Sequence, residues 1–233
     1  MARTLSVKMA RAIAAEINGL DRLFVDIAEY LPQVKAELKD LSALPEKYGN
    51  SWVATRALLF ALSSPQNLFD NNVIAARRLH AGLQGFETVA DVYQALTADR
   101  LGTVTSGSVA RSIFHSLDFI RNLSHFDAVA LRRARDKGQL FGNGPKVTAM
   151  AAHLYSETDA VFTLDVHMLR GIVDTVLGIR DTWTIGASAY KILEDALLGW
   201  AQSRYSGETP FAVQWAMWSV FRGQFDSHMA IFS

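Results

Sequence analysis

The 233-residue chain contains no cysteine. That absence excludes a disulfide framework, a thiol nucleophile, a cysteine-ligated zinc and an iron–sulfur cluster. Net charge is also absent: 23 Lys and Arg balance 23 Asp and Glu, so no overall basic field draws the protein to a polyanion. No uninterrupted apolar run approaches the roughly 18–20 residues of a membrane helix. The first eight residues carry basic groups without the apolar stretch of a secretory signal. Glycine and proline are sparse, at 15 and 5, and no low-complexity segment or repeat appears. A soluble, cytoplasmic protein without a membrane partner is expected.

What is present is apolar and helical in period. Half of the residues are hydrophobic, enough for one sizeable core or two small lobes sharing it. Apolar positions three or four apart predict helices over 9–20, 23–31, 52–62, 72–83, 88–96, 106–123, 129–135, 145–155, 166–177, 187–205 and 210–221. The helix over 23–31 is expected to stop at Pro32, and Pro145 suits a first helical turn. Trp215 and Trp218, three apart, are expected to face the core together. Only 160–164 has strand-like character, and five residues cannot make a sheet. The fold class is therefore all-α.

The neutral total conceals an uneven distribution. Over 100–146 there are eight Lys and Arg against three Asp, a net +5, which leaves −5 for the remainder. This basic stretch ends on Gly142-Asn143-Gly144-Pro145-Lys146. Two glycines one apart permit positive φ and leave amide N–H groups uncovered. A helix starting immediately afterwards points its unpaired N–H groups and positive dipole end the same way, an arrangement suited to a phosphate oxygen. Asp165 and His167 follow in Leu-Asp-Val-His-Met, with Asp165 19 positions after Lys146. Taken alone, Asp165 is also a good helix N-cap.

Hairpin, lysine, spacing and Asp-x-His in this order resemble the helix-hairpin-helix DNA glycosylase superfamily, and the Gly-Pro-Lys-Val and Leu-Asp-Val-His-Met stretches are most similar to its 8-oxoguanine branch. The resemblance is clear over about 52–170 and fainter outside it. It implies a two-lobe helical bundle containing a helix-hairpin-helix motif over about 128–155. The N-terminal helices (1–50) would pack with the C-terminal lobe (166–233), and 51–165 would form the other lobe, with the active cleft between them. It further implies base flipping from double-stranded DNA and cleavage of the N-glycosidic bond of an altered base, an oxidised purine such as 8-oxoguanine. Lys146 matches the Schiff-base nucleophile of the lyase-competent members and Asp165 the essential aspartate. His167 matches a residue near the backbone of the flipped nucleotide; Gly142, Asn143 and Gly144 would approach phosphate. Gln66 and Asn67 match a gap-filling loop, while Gln214 and Phe221 are candidates for the base pocket. A monomer needing no cofactor is implied, nucleoid-associated in a bacterial or archaeal cell; a monovalent cation at the hairpin is compatible with it.

The sequence departs from the family at the hairpin centre. Asn143 stands where an apolar residue is usual, which either loosens packing beneath the loop or lets residue 143 take a left-handed backbone. Two other functions fit the same residues: a catalytically inactive helix-hairpin-helix DNA-binding module, and an all-α interaction protein in which the hairpin is only a turn.

Overall fold

A computed structural model describes residues 3–19, 25–65, 68–100, 102–157 and 160–233. In chain order its helices are α1 (Val7–Gly19), α2 (Leu31–Ser42), α3 (Leu44–Tyr48), α4 (Asn50–Ser63), α5 (Phe69–Gly82), α6 (Val89–Thr97), α7 (Ser106–His115), α8 (Leu117–Arg121), α9 (Ala128–Asp136), α10 (Pro145–Tyr155), α11 (Val166–Leu177), α12 (Ala187–Arg204), α13 (Pro210–Arg222) and α14 (Met229–Phe232). The fold is all-α, as the periodicity predicts. Two three-residue strands, β1 (Arg3–Leu5) and β2 (Trp183–Ile185), pair in parallel, Thr4 opposite Thr184. No described helix is long and apolar enough to cross a membrane.

The chain divides into two compact units. One comprises Met1–Leu38 with Glu157–Asp226, the other Lys39–Ser156 with Ser227–Ser233. The first division falls within α2, between Leu38 and Lys39. Asp165 belongs to the unit that also holds α1, α12 and α13, because the segment leading to it is bound by side chains of α12 and α13. The last seven residues return to the other unit.

In that second unit α4 is the central element. From Val53 to Ser63 every side chain is buried, as expected of a helix that is apolar all round. Its one buried charge is Arg56, 8% exposed. The Arg56 guanidinium stacks on Trp52 at 4.8 Å, donates to His80 Nδ1 at 2.9 Å and reaches the Ile231 carbonyl at 3.1 Å. Burial and, secondarily, Arg77 lower the Arg56 pKa to about 10; burial and Arg56 lower His80 to about 4. Arg77 donates to the Ala230 carbonyl and to Ser233 Oγ. These two arginines fasten the C-terminal segment to α4 and α5.

Local sequence explains several helix ends. Thr88 and Asp91 form a complete capping box at α6. Asp127 caps α9 through Ala130 N at 2.6 Å, and Thr209 with Pro210 opens α13. Two expectations are corrected. Pro32 does not end a helix; it lies in the first turn of α2, where its missing N–H costs nothing. The 106–123 helix is broken at Ser116 into α7 and α8, because the buried Ser116 hydroxyl donates back to Ser112 O at 2.7 Å while accepting from Phe141 N at 2.8 Å.

The strand-like segment 160–164 forms no strand. Its backbone is satisfied by buried side chains instead. Glu194 accepts from Phe162 N at 3.2 Å and Gln214 Oε1 from Thr163 N at 2.6 Å. The Tyr190 hydroxyl accepts from Leu164 N at 3.1 Å and donates to Phe162 O at 2.7 Å. Apolar residues 161, 162 and 164 point into the core, and α12 and α13 supply the partners a neighbouring strand would otherwise give.

Candidate active site

The hairpin between α9 and α10 is built from specific anchors. Gln139 N and Leu140 N both return to the Ala134 carbonyl, and Phe141 N is held by Ser116. Gly142 has φ +69°, and a Cβ there would lie 2.9 Å from Ser112 Cβ, so both conformation and space demand glycine. Gly144 has extended backbone, φ −73° and ψ 174°. Only the first of the two glycines therefore takes positive φ. Asn143 takes none. Instead its side chain is buried, 2% exposed, donating Nδ2 to Leu131 O at 3.1 Å and accepting from Thr148 Oγ1 at 2.8 Å. The amide thus fills the apolar residue's place and keeps its hydrogen bonds.

α10 begins with Gly144 as N-cap and Pro145 in its first turn, with no side-chain cap. A helix start without a side-chain cap is a common setting for an anion. Lys146 is half-buried in this first turn, where the helix dipole disfavours a cation. Its Nζ lies 3.4 Å from Ser64 Oγ, and Ser64 in turn donates to Ala61 O at the end of α4, the end of a dipole that favours positive charge. The neighbouring turn is tied down by Thr105 Oγ1, which donates to the Pro65 carbonyl at 3.1 Å. Gln66 and Asn67 lie outside the described residues. Beside them Leu68 is 74% exposed and Val104, on the loop before α7, is 95% exposed.

The basic stretch is only partly a basic face. Arg121 is spent on the carbonyls of Leu83 and Phe86; outside the stretch, Arg78 is spent on Ala98 O and Asp99. Arg111, Arg133, Arg135 and Lys137 are exposed, with Arg135 paired to Asp136.

In the other unit, Asp165 caps α11 through Oδ1, which accepts from His167 N at 3.0 Å and Met168 N at 2.8 Å. Its Oδ2 accepts from Trp218 Nε1 at 3.0 Å. The His167 ring has its Nδ1 3.3 Å from Arg170 Nη2. Gln214 is buried and bound to Thr163 N. The Phe221 ring lies on α11 where Gly171 has no side chain; a Cβ there would sit 2.3 Å from the ring. Lys146 and Asp165 thus sit on different units, each at the start of a helix. Among the described residues no three His, Asp or Glu side chains group as metal ligands.

Sequence reasoning misses Ser64, Ser116 and Trp218. Ser64 beside Lys146 and Ser116 under the hairpin carry no sequence signal. Trp218 does: it stands four residues after Gln214, so both occupy one face of α13. Its expected pairing with Trp215 toward the core is corrected here, since Trp215 is fully buried while Trp218 is half-exposed and turned to Asp165.

The fold is shared with a solved structure. The chain is similar to Tm1821, the 8-oxoguanine DNA glycosylase of Thermotoga maritima, with a TM-score of 0.67 at 16% identity over 93% of this chain and 99% of that one. No curated protein matches in sequence. By sequence the chain belongs to the family of unknown function DUF7178, whose profile spans residues 42–225.

Proposed function

We propose that the protein is a DNA glycosylase with lyase capability that extrudes an altered base from double-stranded DNA, an oxidised purine such as 8-oxoguanine, and cleaves its N-glycosidic bond. The carrying observation is the head of α10. A half-buried lysine stands in an uncapped first turn, immediately behind a glycine hairpin whose buried Asn143 fixes its shape. A lysine with no task gains nothing from that position. The fold shared with Tm1821 supports the same reading, as does Asp165 at its family-like spacing.

In this mechanism the neutral Lys146 amine attacks C1′ while the C1′–N bond breaks, its electron pair leaving on the base. The Asp165 carboxylate stabilises the oxocarbenium-like charge and accepts a proton from Nζ; the C1′–O4′ bond then breaks, its electron pair leaving on O4′, which takes that proton as the C1′–Nζ bond becomes an imine. Loss of a C2′ proton then expels the 3′ phosphate, nicking the strand, and water hydrolyses the imine to restore the amine. The uncapped start of α10 and the hairpin backbone hold phosphate, and the basic side chains around them add sequence-independent affinity. Val104 and Leu68 suit the role of apolar wedges against the base stack.

Borohydride trapping on a duplex with an abasic site tests the lyase step. A covalent adduct is expected with the native chain and none with Lys146→Gln. An adduct that survives the substitution, or none from the native chain, rejects the mechanism. Base release across a panel of lesion duplexes identifies the substrate; salt-sensitive duplex binding with no release from any lesion marks an inactive DNA-binding module instead.

A further inference from the structure

Asp165 divides its carboxylate between two kinds of partner. Capping α11 requires one oxygen, and Oδ1 alone accepts both backbone N–H groups. Oδ2, which a half-exposed cap would normally leave to water, is taken by the Trp218 indole at 3.0 Å. The indole is itself braced. The Arg222 guanidinium lies 4.6 Å over its ring, one turn along α13, and is ion-paired to Asp226, whose Oδ1 accepts from Gln224 Nε2 at 2.9 Å. One turn earlier on the same face, Gln214 holds Thr163 N. α13 therefore grips the segment ahead of α11 twice, once by its backbone and once by the carboxylate.

We propose that Trp218 is a positioning residue for Asp165. This rests on the glycosylase reading above. With Oδ1 pinned by two amides, the indole removes the remaining swing of the carboxylate and fixes which lone pair of Oδ2 stays available to the substrate sugar. An indole N–H donates and does not accept, so it orients the carboxylate without competing for the proton that Asp165 handles. Arg222, stacked on the ring and restrained by Asp226, sets the tilt of the indole. Carboxylates that stabilise charge at a sugar act through orientation, and small displacements of such a group lower the chemical step rather than binding.

The test uses the full chain with Trp218 replaced by β-(3-benzothienyl)alanine, which keeps the ring's shape and lacks the N–H, beside Trp218→Phe and Arg222→Ala. Single-turnover base release on the substrate duplex is expected to slow by about tenfold or more in the benzothienyl variant, with duplex Kd and Tm close to native. Arg222→Ala should show a smaller loss of the same kind. A release rate within about twofold of native, or a loss that appears equally in Kd, overturns the positioning role. That failure is seen only against an active native chain. A native chain that neither releases a base nor traps with borohydride overturns the glycosylase reading, and the positioning role with it.

Discussion

Thr148 Oγ1 donates to Asn143 Oδ1 at 2.8 Å, joining the centre of the hairpin to the second turn of α10 in a site where both residues are almost wholly buried. A buried amide left without its partner is costly, whereas an apolar pair of similar shape is nearly neutral. Thr148→Val should therefore destabilise by about 1–3 kcal/mol. Asn143→Leu combined with Thr148→Val should recover part of that loss. Denaturant midpoints of the single and double variants give the coupling energy directly.

Gly142 and Gly144 should respond differently to alanine. Gly142 combines φ +69° with a Cβ that would meet Ser112 at 2.9 Å, while the Cβ position at Gly144 is open. Gly142→Ala should cost about 2 kcal/mol or more and weaken duplex binding. Gly144→Ala should leave stability within about 1 kcal/mol of native. Thermal unfolding of the two variants separates them.

Asp165→Asn should separate capping from chemistry. Asn caps a helix about as well as Asp, but its Nδ2 does not accept from the Trp218 indole, so stability should fall by about 1–2 kcal/mol. The amide carries no charge for the developing oxocarbenium, so base release should fall by about a hundredfold. Duplex affinity should be retained, as read by a fluorescence titration.

Replacing Arg133, Arg135 and Lys137 with alanine should weaken binding to all duplex sequences alike. The slope of log K against log salt should become shallower by up to about 0.9 for each phosphate that is no longer neutralised. An unchanged slope would place the DNA elsewhere.

Acid should destabilise the unit that holds His80. Burial and the adjacent Arg56 lower its pKa from 6.5 to about 4. Between those values the unfolded chain binds a proton that the folded chain does not, so stability falls as pH drops from about 6.5 to about 4. Equilibrium unfolding across this range should show a shallower pH dependence in His80→Gln.

The sequence by itself determined the helical fold and where the candidate site residues stand along it. Helical period fixed α4, α10, α11, α12 and α13 to within a few residues, because each buries a broad apolar surface and most carry a local start signal such as Pro145, Asp165 or Thr209-Pro210. The same local chemistry, a glycine that can turn and a carboxylate that can cap, marked Gly142 and Asp165. Local signals were also where it misled. Pro32 suits a helix start as well as a stop, and the apolar period across Ser116 gives no sign that its hydroxyl will be drawn to Phe141. Only tertiary structure decided that Asn143 turns inward, that Gln214 serves the backbone of 160–164 in place of a strand, and that Ser64 and Trp218 are the neighbours of Lys146 and Asp165. Each of those outcomes is a hydrogen bond between residues far apart in the chain, whose geometry is set by how helices pack and not by the spacing of side chains along any one of them.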